Sequence, residues 1–258
     1  MAEYEFERVR GEVWESLSTG LWQISLEPIG SVGDTYINTL NGDVYSKISQ
    51  SVVSGWTQQI GSGARNWQSV ASSADGTKLA AVDYNGYIYT SSDSGVTWIQ
   101  QTSSGARIWK SIACSSDGTK LAATVANGYI YTSSDSGVTW TEQTASNVKE
   151  WRGIASSSDG TKLFAVVANG YIYTSSDSGV NWTEQATTFG LRNWQSIACS
   201  VDGTIVAAVA INENIVRSIT GGSSWDEIAG TAYGEWSDIT MSSDGSKMAA
   251  SLNLGRVS

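Results

Sequence analysis

The sequence has no histidine, only two cysteines and a single proline among its 258 residues. Histidine is the side chain that most often acts as a general base near neutral pH and that most often ligates metals. Cys114 and Cys199 occupy the same slot of two non-adjacent repeats, so we expect no disulfide between them. With no cysteine cluster and no phosphate-binding loop either, we expect no catalytic residues, no metal site and no cofactor.

Basic residues are also scarce, because 15 Lys and Arg stand against 25 Asp and Glu and give a net charge of −10. A nucleic-acid partner requires a basic surface, and so does docking on an anionic membrane, so we expect neither. The longest apolar run, residues 205–211, is too short to span a bilayer. The acidic N-terminus has no apolar stretch typical of a secretory signal, so we expect a cytoplasmic or virion-associated protein.

What the sequence has in abundance is repetition. Residues 66–98, 108–140, 150–182 and 193–225 align without gaps, and their opening tryptophans lie 42 or 43 residues apart. Each copy predicts four short strands, which in the first of them cover 68–72, 78–82, 87–91 and 96–101, with an Asn-Gly hairpin at 85–86. Repeats of this length with four strands are typical of β-propeller blades.

Two further tryptophans, Trp22 and Trp236, extend the array to six repeats starting near 22, 67, 109, 151, 194 and 236. The last repeat stops before its final strand, whereas Gly11 to Trp14 resembles such a strand. We therefore predict one all-β domain over 1–258, a six-bladed β-propeller whose ring is closed when residues 1–18 complete the C-terminal blade. Phe6, Val9, Val13 and Leu17 also fall at helical spacing, so a helix there is the alternative.

A second motif lies between the third and fourth strands of each repeat. Residues 91–98 read SSDSGVTW, 133–140 repeat them, and 175–182 carry Asn181 in the threonine slot. This pattern resembles the Asp-box of sialidase-type (BNR-repeat) propellers. The resemblance implies a propeller fold and a structural role for the box aspartates, Asp93, Asp135 and Asp177.

The same resemblance makes a sialidase-like glycoside hydrolase the alternative function. Such enzymes bind the substrate carboxylate with three arginines and use a tyrosine–glutamate nucleophile pair and an aspartate acid. Here Arg65, Arg107 and Arg192 recur at one slot and are spread around the ring, so we do not expect them to converge. The repeat lengths leave no insertion to build an asymmetric pocket, and we expect no enzymatic activity.

Four of the opening tryptophans, Trp67, Trp109, Trp151 and Trp194, have a cation two residues before them. Cations beside aromatic rings are common in recognition surfaces, although buried tryptophans with solvated cations would give the same pattern. The hairpin in front of Asn85 also varies between repeats, and alternating strand directions place it at the same end of each blade as the connections. The ligand-binding residues predicted on this basis are Arg65, Trp67, Arg107, Trp109, Lys149, Trp151, Arg192, Trp194, Asp83 and Tyr84.

Residues 33–56 contain GDTYINTLNGDVYSK and a later Gly-Trp, and are similar to segments of phage structural proteins and collagen-like surface proteins. That similarity points to a virion or surface setting. Together these observations predict a non-catalytic recognition or structural propeller that binds a glycan or a protein partner.

Overall fold

The computed structural model describes residues 57–185, 187–231 and 234–252, and before them the backbone of four short strands. The four are β1 (Glu15–Ser16), β2 (Trp22–Gln23), β3 (Thr35–Ile37) and β4 (Val44–Ser46). β1 pairs with β2, and β3 and β4 form an antiparallel sheet with β5 (Thr57–Gln58). Apart from β3 and β4, the segment similar to phage proteins lies outside the described residues, and so does most of the predicted closing strand.

Each of the second to fifth repeats folds into a four-stranded antiparallel unit, and pairing between repeats links the units of the second to fourth repeats into a 12-stranded sheet. The second repeat comprises β6 (Trp67–Ser72), β7 (Leu79–Gly86), β8 (Ile88–Ser91) and β9 (Ile99–Gln101). The third comprises β10 (Arg107–Cys114), β11 (Leu121–Gly128), β12 (Ile130–Ser133) and β13 (Thr141–Gln143). The fourth comprises β14 (Lys149–Ser156), β15 (Leu163–Val167), β16 (Ile172–Ser175) and β17 (Thr183–Gln185). The fifth comprises β18 (Trp194–Cys199), β19 (Val206–Glu213), β20 (Val216–Ser218) and β21 (Asp226–Glu227).

The last described strands are β22 (Gly234–Met241) and β23 (Met248–Leu252), which pair with each other as the first two strands of the sixth repeat. The N-terminal β1 pairs with β2 of the first repeat, and among the described residues it does not pair with this sheet. The sheets described do not join into a closed ring, so the blade count and the closure by residues 1–18 remain predictions.

Neighbouring sheets are joined by backbone hydrogen bonds at both ends of the strands. At one end, the start of β10, β14 and β22 pairs with the end of the preceding repeat's second strand, as Ile108 does with Tyr84, and an isolated bridge between Gly170 and Arg192 joins the fourth repeat to the fifth. At the other end, the Asp-Gly turns bond to each other, with Ala74 N donating to Ser116 O at 2.8 Å. We call the first the hairpin end, formed by the Asn-Gly hairpins and inter-repeat connections, and the second the box end, formed by the Asp-Gly turns and Asp-boxes.

The core fills the space between consecutive sheets. One buried cluster joins Val82 and Ile88 of the second repeat to Trp109 and Ile112 of the third, and another joins Phe164 of the fourth to residues of the fifth. The middle strands are therefore apolar on both faces, as in the run Leu163–Val167, where all five residues are buried. Each sheet depends on its neighbours for burial, as expected for a repeat architecture.

A β-bulge follows the opening tryptophan in all five of the opening strands from β6 to β22. A bulge leaves one residue without a partner in the ladder and redirects its side chain. The five residues in this slot, which we call the bulge row, are Gln68, Lys110, Arg152, Gln195 and Ser237. Opening strands of neighbouring repeats also touch directly, since Ile112 N donates to Ser69 Oγ and Ile154 N to Ser111 Oγ, both at 3.3 Å.

Candidate recognition surface at the hairpin end

The shape of the hairpin end is set by residues with left-handed backbone conformation. Asn85, Asn127, Asn169 and Asn212 have φ between 51° and 60°, a region in which asparagine is better tolerated than most residues. The connections opposite them contain short 3-10 helices that the sequence pattern did not predict. These helices are Ile60–Ser62, Thr102–Ser104, Thr144–Ser146 and Thr187–Phe189.

The four tryptophans predicted to bind a ligand lie in the core. Trp109, Trp151 and Trp194 are 0% exposed and Trp67 is 5% exposed. The indole Nε1 of Trp109 donates to the carbonyl of Gly86 in the preceding repeat at 3.1 Å, and that of Trp194 to Gly170 at 3.1 Å. A partner could reach these rings only by opening the packing, so their placement is that of core residues that join neighbouring repeats.

The cations before these tryptophans are held against aromatic rings of their own repeat. The guanidinium carbon of Arg65 lies 4.2 Å from the ring centre of Tyr89, and that of Arg107 lies 4.3 Å from Tyr131. Lys149 Nζ lies 4.8 Å from the ring centre of Tyr173. The cation of the motif therefore forms a cation–π contact that holds the connection between repeats against the sheet. Arg65 remains exposed, and Arg107 and Lys149 are half-buried.

Arg192 is the exception among these cations, because the tyrosine position of its repeat is occupied by Val216. Its side chain is 8% exposed, and Nη2 lies 2.6 Å from Glu227 Oε1 and 3.4 Å from Glu213 Oε2. Its guanidinium also stacks over Phe189, at 4.6 Å from the ring centre. Arg192 is thus a buried, internally paired cation and offers little surface to a partner.

Asp83 and Tyr84 lie at the end of β7, where the hairpin meets the next repeat. Burial raises the pKa of Asp83, and the nearby Arg65 opposes that rise. The Tyr84 backbone N donates to Asn66 O at 2.8 Å, and its half-exposed ring lies 4.9 Å from Lys110 Nζ. Both side chains are therefore accessible at the hairpin end, where their role in binding stays a prediction.

The bulge row supplies candidate residues that the sequence prediction missed. Four of its members are half-buried and Gln68 is exposed, and their identity changes between repeats while the flanking tryptophan is constant. Lys110 and Arg152 occupy equivalent bulges of β10 and β14, two strands in contact, and burial together with repulsion from Arg152 lowers the pKa of Lys110. The variation after an invariant tryptophan was visible in the sequence, but only the bulge shows that these side chains share one surface.

The Asp-box carboxylates make contacts within their own loops. Asp135 Oδ1 accepts hydrogen bonds from Thr139 N at 2.9 Å and Ser133 Oγ at 2.8 Å, and Oδ2 accepts one from Thr139 Oγ1 at 2.6 Å. Asp93 and Asp177 repeat the arrangement. These hydrogen bonds hold the pKa of each of the three carboxyl groups below its ordinary value. They also hold residues 96–98 in the loop, so β9 begins at Ile99 rather than at 96.

We expect Asp135→Ala to lower the free energy of unfolding by about 1 kcal/mol, because it removes three acceptor contacts from a loop that water can partly solvate. Urea denaturation measures the change. Asp135→Asn, which keeps an acceptor, is the control and should cost less. An equal loss in both variants would contradict the hydrogen-bonding explanation.

The five Asp-Gly turns repeat a second carboxylate network. In the fourth repeat, Asp159 accepts hydrogen bonds from Ser157 Oγ at 2.6 Å and from Thr161 N at 3.0 Å. Those bonds lower the pKa of Asp159 from 3.8 to about 2, and similar bonds lower the pKa of Asp244 to about 2. The pKa values of Asp75, Asp117 and Asp202 are lowered for the same reason.

These turns predict that the protein loses stability in acid. A carboxyl group whose pKa is lower in the folded than in the unfolded state contributes its full stabilisation above the unfolded value, 3.8, and loses it as the pH falls through about 2. We expect the melting temperature to fall across that interval, and to fall less steeply in Asp159→Asn. A variant that retains the slope of the parent protein would contradict the assignment.

Two cavities lie at the box end, between consecutive repeats. The cavity between the third and fourth repeats has a volume of about 180 Å³ and the one between the fourth and fifth about 220 Å³. Both linings combine several serine and threonine residues and one lysine with apolar side chains, which are Leu121, Ala122 and Leu163 in the first cavity and Phe164 in the second. The lining of the first includes Lys120, Ser133, Thr139, Gly160 and Ser178. That of the second includes Lys162, Ser175, Asn181, Thr220 and Gly221.

No group of three or more potential metal-ligating side chains occurs in the described part of the chain. Within the same residues, no helix is long and apolar enough to cross a membrane.

No protein-family profile and no curated protein matches the sequence, so the resemblance to Asp-box propellers rests on the motif alone. Solved structures do match. The GH74 enzyme of Niastella koreensis superposes with a TM-score of 0.60 at 18% identity, over 89% of this chain and 36% of that one. A chain of a nidogen/laminin complex gives 0.63 at 15% identity, over 82% of each chain. The chain folds as a β-propeller.

YCF48 from Cyanidioschyzon merolae is a third similar structure, with a TM-score of 0.54 at 16% identity over 72% of this chain and 63% of that one. The propeller thus spans about a third of the GH74 enzyme and somewhat less than two thirds of YCF48. At these identities the similarity extends to the fold and not to the activity.

Proposed function

We propose that this propeller is a non-catalytic recognition module that binds a protein partner at its hairpin end. The observation that carries the proposal is where the repeats differ. The three most similar repeats share nearly every turn and box residue. Their exposed and half-buried differences at the box end exchange one small residue for another, as in Thr97, Thr139 and Asn181, whereas those at the hairpin end change charge and size. A surface that carries function is expected to vary in chemistry while the scaffold repeats.

Three slots hold most of this variation, and the fold places them side by side. The first is the residue before the tryptophan, the second is the bulge row, and the third is the end of the second strand. The first slot contains Asn66, Ile108, Glu150, Asn193 and Glu235. The third contains the half-buried Asp83-Tyr84 and, in the later repeats, Val125-Ala126, Val167-Ala168 and Ala210-Ile211, of which Ile211 alone is not buried. Cross-repeat pairs such as Ile108–Tyr84 and Glu150–Ala126 join the first slot to the third.

Exposed apolar side chains in the connections add to the same surface. Val148 is 59% exposed and Leu191 is 65% exposed, and both precede a cation in neighbouring connections. The half-buried Phe189 stands beside Leu191 where the two preceding repeats have a buried serine. Apolar groups among charged ones suit a protein interface.

The carboxylate and tyrosine groups do not favour glycoside hydrolysis. Tyr131 donates to Glu142 and Tyr173 to Glu184, which supplies the tyrosine–glutamate pair that a sialidase-like mechanism requires. However, burial and the Glu142 hydrogen bond raise the pKa of Tyr131 to about 12, and its ring is only 5% exposed. A nucleophile needs the opposite shift and access to substrate, so we propose a structural role for both pairs.

A glycan ligand is the second candidate, and the box-end cavities favour it. Their volumes and hydroxyl-rich linings suit a small polar molecule, and they recur between two successive pairs of repeats. The lining residues of the two cavities are nearly the same in each repeat, as Lys120 and Lys162 are, so the hairpin end, where the repeats differ, has the stronger case.

The test compares two matched charge-reversal pairs as baits. Arg107→Glu with Lys149→Glu alters the hairpin end, and Lys120→Glu with Lys162→Glu alters the box end. Arg192 is unsuitable for charge reversal because it is buried. Proteins captured by the parent chain from a lysate of its own organism are identified by mass spectrometry. The interaction is then reconstituted from the purified proteins.

We expect the rebuilt interaction to be lost with the first pair and kept with the second, with both baits folded by circular dichroism. Loss only with the second pair would move the site to the box end. Binding on a glycan array without a protein partner would favour the glycan alternative, and turnover of a fluorogenic sialoside would overturn the non-catalytic assignment.

A further inference from the structure

Lys110 and Arg152 are brought together by the bulges of two neighbouring opening strands. Each is the unpaired residue of its bulge, in β10 and β14 respectively, and both strands touch. In a chain with a net charge of −10, two adjacent half-buried cations are the reverse of what composition alone would give. Their mutual repulsion raises the energy of the protein unless an anion lies nearby.

The charges around this pair do not balance. Arg152 Nη2 lies 2.6 Å from Glu150 Oε1, which accounts for one carboxylate. Lys110 makes no ion pair within the described ranges, and its ammonium group rests 4.9 Å from the ring centre of Tyr84. The Arg152 Nε is buried and meets no acceptor among those residues. The Lys110 ammonium group is thus left without a carboxylate partner, and Arg152 Nε without an acceptor, among the described residues.

We infer that Lys110 and Arg152 form a carboxylate-binding subsite, which takes an acidic side chain of the protein partner against the ring of Tyr84. The inference rests on the proposed function for the source of the carboxylate. Lys110 supplies the unpaired charge, and Arg152 supplies N–H donors beyond the one that Glu150 occupies. Tyr84 forms an apolar wall that keeps the Lys110 ammonium in place.

The site lies in the same surface as the three variable slots, because Tyr84 belongs to the end of β7 and pairs with Ile108, two residues before Lys110. The other bulge-row residues, Gln68, Gln195 and Ser237, are neutral. Only two neighbouring repeats therefore have a cation in the bulge row, so the positive charge is local and is not repeated in every repeat. This asymmetry would orient an acidic partner in a single register.

The experiment follows the seven lysines by NMR after ¹³C reductive dimethylation, which keeps their charge. Lys110→Gln assigns the Lys110 signal. The probes are N-acetylglutamate, N-acetylglutamine and glucuronate, each titrated at constant ionic strength. Lys120 at the box end is the internal reference.

We expect N-acetylglutamate to shift the Lys110 signal saturably, with little change at Lys120 and no response to N-acetylglutamine. Arg152→Gln should weaken that binding by roughly tenfold, the scale of a lost charge-assisted hydrogen bond, and leave the other lysine signals unchanged. Equal shifts of all lysines, or none at Lys110, would overturn the subsite. A response to glucuronate alone would overturn the assignment to an acidic side chain.

These outcomes are separable from those of the proposed function. Saturable binding of N-acetylglutamate without any captured partner would support the subsite and count against the proposed function. A partner that binds the hairpin end equally well in Lys110→Gln and in Arg152→Gln would support the proposed function and overturn the subsite.

Discussion

Trp109→Ala should lower the free energy of unfolding by about 3–5 kcal/mol, the range measured when large aromatic side chains are removed from protein cores. The indole is 0% exposed and lies edge-on to Tyr131, with ring centres 5.4 Å apart. It packs on Val82 and Ile88 of the preceding repeat and donates to Gly86 O. The substitution thus leaves a cavity and removes a side-chain hydrogen bond at the junction of two repeats. Chemical denaturation measures the loss.

Trp140→Ala is the matched control, because this second tryptophan of the same repeat is half-buried and its Nε1 donates within its own box loop, to Gly137 O at 2.8 Å. We expect a clearly smaller loss, since less apolar area is uncovered at the edge of that cluster and the hydrogen bond that is lost lies within one repeat. Equal losses in the two variants would show that the junction is not where the opening tryptophan acts.

The repeated strands could be predicted from the sequence because each local signal agrees with the others. The Asn-Gly hairpins, the Asp-Gly turns and the short strand segments between them all indicate one four-stranded unit. The structure lengthens the second strand of the repeat to Leu79–Gly86 because its last residues pair with the following repeat. Pairing between repeats leaves no periodic signal in a single copy, so that extension could not be predicted.

The candidate site was predicted less well, because the sequence pattern gives neighbours along the chain and not depth. Cations beside tryptophans suggested one surface, yet Trp109 points into the core while Arg107 stacks on Tyr131, which is 24 positions further along. Lys110 directly follows that tryptophan and was not among the predicted binding residues, because the direction of its side chain depends on the bulge. Burial of Arg192 likewise depends on Glu213 and Glu227, which lie in two other strands.

The buried charge of Arg192 leads to a second large effect, in which removing its carboxylates costs more than removing the cation itself. Glu213→Gln combined with Glu227→Gln leaves a guanidinium that is 8% exposed without a counter-charge. Breaking a fully buried pair costs about 3–5 kcal/mol. Because the two glutamates are 31% and 35% exposed, water can partly replace them, and we expect a loss of about 2–3 kcal/mol.

Arg192→Met should cost only about 1 kcal/mol, since the methionine keeps an apolar stem against Phe189 and Trp194 while the two glutamates that lose their partner can turn to solvent. Urea denaturation of the two variants and of the triple variant measures the difference. The triple variant should resemble Arg192→Met, because the glutamate substitutions matter only while the cation is present. A larger loss in Arg192→Met than in the double glutamate variant would show that the guanidinium acts mainly through packing and not through its buried charge.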